Sequence, residues 1–451
     1  MSHYEHIKNI YFIGIGGIGM SALARYFNAE GKNVSGYDRT ATELTRKLEA
    51  EGIEVITSDK VEDLPAEIIE DRESLIVYTP AIPQEHPQYL HFTADSYTME
   101  KRSMVLGNLT KGHFTLAVAG THGKTTTSSM LAHLLKESGS EITAFLGGIA
   151  ENFNSNLLLD GNEAMVVEAD EFDRSFLKLL PNLAAITSMD ADHLDIYGDD
   201  STIKESFKEF ASLVPEDGKL FYDNGLPLKG VSIGIDDDAD IAAINISVKN
   251  GSYHFDLRTQ EGIYKDFELG LPGKHNLHNA VTALAMALEF GAPPELLAGA
   301  LASFKGVHRR FSYRIKREDL VLIDDYAHHP AEIAAVHQAV SEMHPGKRVL
   351  AVFQPHLFSR TRDFAEGFAE SLGLFDELLL LDIYPAREKA IEGITSEWLL
   401  KLVKNDKKQL VQKEQLSEVI KSKNAEVVVL MGAGDIGEEV EKIRKNLAGE
   451  N

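Results

Sequence analysis

Residues 10–38 read IYFIGIGGIGMSALARYFNAEGKNVSGYD, and this stretch decides the fold at the start of the chain. An apolar run, Ile10–Ile13, leads into Gly14, Gly16 and Gly19 in G-x-G-x-x-G spacing, with Gly17 between them. A helical pattern follows from Met20 to Glu30, then a second apolar strand, Asn33–Tyr37, that ends on Asp38. Glycines after a strand permit a tight turn and let phosphate reach backbone N–H groups at a helix N-terminus. Asp38 is placed to meet a ribose hydroxyl. The pattern fits NAD, another phosphate-bearing ligand, or a tight turn that holds nothing. Near the C-terminus, GAGDIG at 432–437 follows a strand, Glu426–Met431, and matches the same expression. Two copies in one chain do not both imply NAD. A phosphate-bearing ligand is expected at the first, and structure or substrate lining at the second.

Working outward, Ala41–Glu51 reads as helix and Glu54–Ile56 and Ser74–Thr79 as strands. This βαβ alternation predicts a parallel sheet with helices on its faces. A fresh strand, Phe114–Ala119, runs into Gly120-Thr-His-Gly-Lys-Thr125 and a helix over Thr126–Glu137. Ala164–Glu168 and Ala184–Ser188 read as further strands and Leu277–Phe290 as a helix; another α/β pattern starts at Val321–Ile323. Its later strands are Arg348–Phe353, Leu378–Ile383 and Glu426–Met431. The expected fold class is α/β in three domains: Rossmann-like over 1–112, P-loop ATPase-like over 113–314 and Rossmann-like over 315–451.

The 451 residues exceed the roughly 250–300 at which a single core stops growing, which agrees with several domains. The net charge of −25 repels nucleic acid and anionic membrane, so neither is expected as a partner. It repels nucleotides too, so a phosphate ligand needs local N–H groups, Lys, Arg or metal. The absence of Cys removes thiolate chemistry and disulfides. No targeting pattern and no apolar run of eighteen residues is present, and a cytoplasmic protein, monomeric or weakly dimeric, is expected.

In Gly120-THGKT, the residues Gly120, Thr121, His122, Gly123, Lys124 and Thr125, followed by Thr126, form a phosphate loop between strand and helix. Lys124 neutralises β and γ charges and the Thr125 hydroxyl ligates Mg²⁺. Val118 stands where the usual first glycine would be. Glu168, Asp170, Glu171 and Asp173 follow one strand, and Asp190, Asp192, His193 and Asp195 another. Singly each cluster reads as a solvated turn; beside a phosphate loop they suit Mg²⁺ held between protein and nucleotide. Lys274-HNLHNA-Ala280 opens a helix, with Asn276 expected as a cap. Arg309 and Arg310 fit either an anion clamp or a solvated linker. Asp324, Asp325, Tyr326, His328 and His329 end another strand, with Pro330 starting a helix. His356, Arg360 and Arg362 follow the strand Arg348–Phe353 in the same manner.

Together GIGGIGMSALA, VSGYD, GTHGKTTT, EADEFDRSF, DADHLDIYG, HNLHNA, DDYAHHP, FQPHLFSRTRDF and GAGDIG resemble, in order, the Mur ligases, ATP-dependent amide-forming enzymes of peptidoglycan synthesis. Within the family the resemblance is greatest to the branch that joins L-alanine to UDP-N-acetylmuramate. It implies that Gly14, Gly16, Gly17, Gly19 and Asp38 hold the UDP-sugar, and that the central domain binds ATP. Thr125, Glu168 and His193 would place Mg²⁺, with Lys124, Glu168 and His193 serving the chemistry. Asn279 is matched to adenine, and Arg310 and Asp325 to nucleotide contact from the C-terminal domain. Tyr326, His328, His356 and Arg360 are matched to the amino acid. The family's carbamylated lysine has no clean counterpart at Lys204 or Lys208. A tripeptide-adding ligase of the same family, a P-loop kinase or switch and, from another class, an NAD-dependent oxidoreductase are the competing readings.

Overall fold

The computed structural model describes residues 3–190, 200–249, 251–386 and 388–450. His193, with Asp192 and Asp195, lies outside the described residues.

In the first sheet, five parallel strands lie in the order Glu54–Ile56, Asn33–Tyr37, Asn9–Ile13, Leu75–Tyr78 and Thr98–Lys101. Tyr11, Phe12 and Ile13 are fully buried, as expected for a central strand covered on both faces. The strand order reverses beside the first strand, and such a switch point opens a crevice at the carboxyl ends of its strands. The Gly14–Gly17 turn leaves the sheet there and starts the helix Ile18–Ala29. Gly14 has φ +92°, and a Cβ at that position would stand 3.0 Å from Thr79, so both conformation and space require glycine.

The second sheet has ten strands. Its central part runs Lys219–Asp223, Leu183–Ile186, Thr115–Ala119, Ala164–Glu168 and Ile142–Ala150, all parallel. Ser155–Leu159 closes one edge antiparallel, and four strands from Val231–Ile235 to Ile263–Leu269 extend the other. Leu116, Ala117, Val118 and Ala119 are all fully buried, so Thr115–Ala119 is a core strand. Its register pairs Val118 with Glu168 on one side and Ala119 with Ile186 on the other. Glu168 and the chain that follows Ile186 therefore leave the sheet on either side of the phosphate loop.

The third sheet runs Ser312–Lys316, Val321–Asp325, Val427–Met431, Val349–Phe353, Glu377–Leu380 and Lys408–Leu410. Only the first pair is antiparallel. Every residue of Val349–Phe353 and Val427–Met431 is buried, each large aliphatic side chain contributing about 1.5–3 kcal/mol.

By internal contacts the chain forms two compact units. One comprises Met1–Ile246, His254–Glu268 and His278–Lys305; the other comprises Ser247–Tyr253, Leu269–Leu277 and Gly306–Asn451. Within the first unit, Asn156 of the edge strand is wholly buried and reaches the glycine-loop helix. Its amide donates to Ile18 O and to Ser21 Oγ, while its oxygen accepts from Arg25, whose guanidinium is paired with Glu51 at 2.7 Å.

Candidate active site

The Lys124 loop is held from two directions. Thr187 Oγ1 donates to the His122 carbonyl, Ser188 Oγ accepts from His122 N–H at 2.8 Å, and Thr121 Oγ1 donates to Asp190 O at 2.8 Å. Gly120 (φ +133°) allows this closeness, since a Cβ there would collide with Thr187. Gly123 adopts φ +83° and is the N-cap of the helix Lys124–Glu137, with no side chain capping the first turn. The first N–H groups and the positive end of the helix dipole are thus available to an anion. Asn279 packs on this turn, its Oδ1 only 2.5 Å from where a Gly123 Cβ would stand. Thr125 and Thr126 are buried directly behind the loop.

Lys124 Nζ donates to Gly120 O at 2.6 Å, Thr121 O at 3.2 Å and Glu171 Oε1 at 2.9 Å. Glu171 is almost completely buried. Burial pulls Lys124 toward its neutral form, but the Glu171, Glu168 and Asp170 carboxylates outweigh it and hold the ammonium above its ordinary range. Glu168 lies at the adjacent strand end and accepts from Gly147 N–H at 3.0 Å. A side chain on Gly147 would overlap that carboxylate and displace it. Glu168 and the Thr125 hydroxyl offer hard oxygen donors of the kind that suit Mg²⁺ bound together with phosphates rather than caged by protein. Among the described residues no group of three His, Cys, Asp or Glu is placed to hold a metal by itself.

At the first glycine loop, Gly14 and Ile15 N–H donate to Tyr37 O, and Asp38 Oδ2 accepts from Gly16 N–H at 2.9 Å. Asp38 also accepts from Thr40 N–H at 3.2 Å. Its carboxylate braces the loop internally, whatever it does for a ligand. Gly17 caps the helix Ile18–Ala29 with no side-chain hydrogen bond, leaving that first turn open. The guanidinium of Arg102 stands over it, 2.8 Å from the position of a Gly19 Cβ.

The second glycine loop is filled by protein. Arg309 donates to Gly432 O, Gln354 Oε1 accepts from Ile436 N–H at 2.9 Å, and Gln354 Nε2 donates to Asp435 at 2.7 Å. Structure is the outcome there. Arg309 is engaged by that loop and by the Asp324 carboxylate (3.5 Å) and is not a solvated linker.

In the C-terminal unit, Asp325, Tyr326, Arg310, His328, His356 and Arg360 come together at the carboxyl ends of the sheet. Asp325 is buried and accepts 2.7 Å hydrogen bonds from Phe311 N–H and Ala327 N–H. Arg309 and Arg310 both lie 5.1 Å from the Tyr326 ring centre. His328 Nδ1 is 3.0 Å from Tyr326 O and 3.3 Å from Glu332. Burial holds the His328 imidazole below the ordinary histidine range, Glu332 opposes this, and the Arg360 and Arg310 charges reinforce it. Arg360 Nη1 is 3.4 Å from His356 Nδ1, and the His356 ring stacks on Tyr384 at 5.8 Å. Glu388 accepts from Ser359 N–H at 3.0 Å, fixing the short helix Phe358–Asp363 that carries Arg360. Pro330 starts the helix Pro330–Met343, with His329 and Glu332 in a capping box. Asn276, expected as a cap, instead lies inside the helix Lys274–Phe290 and donates to Pro272 O at 2.7 Å. Its amide thus satisfies a carbonyl that precedes the helix.

Burial pushes the Asp325 carboxyl from 3.8 up to about 6, against the pull of Arg310 and the two N–H donors. A carboxyl with a raised native pKa favours the folded state when protonated, so its contribution is lost as pH rises between about 4 and 6. Asp325→Asn should remove that segment of the stability profile in pH-dependent thermal melts. It should also cost about 1–3 kcal/mol at pH 7, because an amide NH₂ is set against a backbone donor.

Three family models match successive parts of the chain: the catalytic domain of the Mur ligase family over 9–114, the Mur ligase middle domain over 118–287 and the Mur ligase glutamate ligase domain over 309–434. The chain belongs to the Mur ligase family. It is 63% identical over 448 residues to UDP-N-acetylmuramate–L-alanine ligase of Christiangramia forsetii, covering 99% of each chain. Its fold matches the crystal structure of UDP-N-acetylmuramate-alanine ligase from Thermotoga maritima with TM-score 0.85 and 28% identity, over 98% of this chain and 99% of the other. The murein peptide ligase of Psychrobacter arcticus shares the fold at TM-score 0.71 and 22% identity, over 98% and 99%.

Several groups at these sites escape a reading of spacing. Arg102, Asn156, Gly147 and Glu388 stand outside the recognised motifs, and Gln354 is inside one that does not reveal its part in the second glycine loop. Glu171 is inside one, but nothing in the run EADEFD says which carboxylate faces the lysine. Its turn contains consecutive left-handed residues, Asp173 (φ 53°) and Arg174 (φ 54°), and obeys no regular period.

Proposed function

We propose that the protein is an ATP-dependent ligase that joins L-alanine to UDP-N-acetylmuramate, releasing ADP and phosphate. The observation that carries this reading is the Lys124 loop beside the Glu168 strand end, its lysine paired with Glu171, in a chain matched along 99% of its length by a ligase of that name. The muramoyl carboxylate attacks the γ-phosphorus of ATP, the β–γ bridge breaks, and an acyl phosphate and ADP result. The neutral amine of alanine then attacks the acyl carbon; the tetrahedral adduct loses phosphate and a proton to leave the amide. Lys124 and the open helix turn behind Gly123 receive the phosphoryl oxygens, and Asn279 contacts the adenine. Thr125, Glu168 and His193 would hold Mg²⁺, which neutralises phosphate charge when bound. Gly14, Gly16, Gly17, Gly19 and Asp38 hold the UDP-sugar. Tyr326, His328, His356 and Arg360 take the amino acid, and Arg310 and Asp325 contact the nucleotide. We place the functional domains at 1–112, 113–314 and 315–451, in the cytoplasm; among the described residues no helix is long and apolar enough to cross a membrane.

The test is ADP release with each combination of UDP-N-acetylmuramate, L-alanine and the recycled tripeptide. Turnover is expected only with the nucleotide sugar and L-alanine together. Preference for the tripeptide would move the assignment to the recycling ligase. ADP formed without any amino acid, or NADH oxidation, would refute amide ligation.

A further inference from the structure

Two phosphate-directed cations in the first unit are held by adjacent residues of one turn. Asp170 accepts from Arg102 Nη2 at 3.1 Å, and the next residue, Glu171, grips Lys124 at 2.8 Å. Among the described residues, Asp170 is the only hydrogen-bond partner of Arg102. Its Nη1 edge instead faces the uncapped turn at Gly19. A guanidinium forks, so one edge can take a phosphate oxygen while the other stays on a carboxylate. A second bridge, Lys101 to Asp173 at 3.0 Å, ties the same turn to the end of the same strand.

We propose that Arg102 is a positioning residue that binds the phosphate of the nucleotide sugar through Nη1 and, through Asp170, couples that site to the Lys124 loop. The inference rests on the reading of the first glycine loop as the nucleotide-sugar site. Phosphate at the Ile18–Ala29 helix fixes the guanidinium, which fixes Asp170 and with it the turn that presents Glu171 to Lys124. A second nucleotide binding at Lys124 then meets a turn already ordered, so each ligand favours the other.

Calorimetry measures the Kd of UDP-N-acetylmuramate with and without saturating β,γ-methylene-ATP and Mg²⁺. For the unmodified protein the analogue should tighten binding about fivefold or more. Arg102→Gln should weaken nucleotide-sugar binding about tenfold or more and bring the coupling factor to one. Asp170→Asn should change that affinity less than about threefold yet also abolish the coupling. Arg102→Lys should keep part of the affinity but not the coupling, since an ammonium presents no fork. Native affinity in Arg102→Gln, coupling retained in Asp170→Asn, or no coupling in the unmodified protein overturns the proposal. If the unmodified protein fails to bind UDP-N-acetylmuramate at all, the reading of the first loop itself falls.

Discussion

Lys124→Ala should abolish ligation, lowering kcat by about 10³-fold or more, while UDP-N-acetylmuramate binds within a few-fold of the native affinity. The ammonium is the cation in place to meet phosphoryl charge in the loop: it is half-buried, three carboxylates hold it charged, and it donates to two loop carbonyls. On the proposed assignment the first glycine loop does not depend on it, because the anion would meet the N–H groups behind Gly17 and the Arg102 guanidinium. Truncating Lys124 also leaves the buried Glu171 carboxylate without its ion-pair partner, a loss of about 3–5 kcal/mol. Lys124→Ala with Glu171→Gln separates the two effects, since the double variant should regain thermal stability and remain inactive. Loss of nucleotide-sugar affinity in a variant that still melts cooperatively would contradict the division of labour between the two loops.

Arg360→Ala should raise the KM for L-alanine about 10–100-fold and move the KM for ATP less than about threefold. Arg360 is on a helix fixed by Glu388, with His356 as its near neighbour and Tyr384 stacked behind that ring. The arrangement sets a guanidinium beside two imidazoles, cationic chemistry that suits a small carboxylate. Arg360→Lys should recover only part of the loss, because an ammonium cannot form the paired hydrogen bonds of a guanidinium. An equal rise in both KM values would remove Arg360 from the amino-acid site.

Much of the architecture was legible in the chain. The strands Asn33–Tyr37, Glu54–Ile56 and Ala164–Glu168 coincide with their sequence reading, and the helix after the phosphate loop begins two residues earlier than expected. Buried parallel strands announce themselves as short apolar runs between loops. Less visible were Thr98–Lys101, whose sequence TMEK has three polar residues of four as befits an edge strand, and Arg102–Thr110, whose apolar residues form no single stripe. The helix at Lys274 also starts three residues before the apolar pattern does, because its first turn is polar.

What the sequence determined by itself is local chemistry. Glycines after a strand specify a turn that can approach phosphate, and Gly-Lys-Thr before a helix specifies where phosphoryl charge is met. Both follow from steric freedom and helix dipoles that short segments carry with them. Tertiary structure alone decided which of the two similar glycine loops stays open. At Gly432 the loop is occupied by Arg309 and Gln354, residues 123 and 82 positions from their partners, while at Gly17 the turn is uncapped. It also decided that Glu171, rather than another carboxylate of the run, pairs with Lys124, and that Arg102 stands beside Asp170. These pairings depend on strand order and on a strained turn, and ion pairs between segments far apart in the chain leave no periodic mark in the sequence.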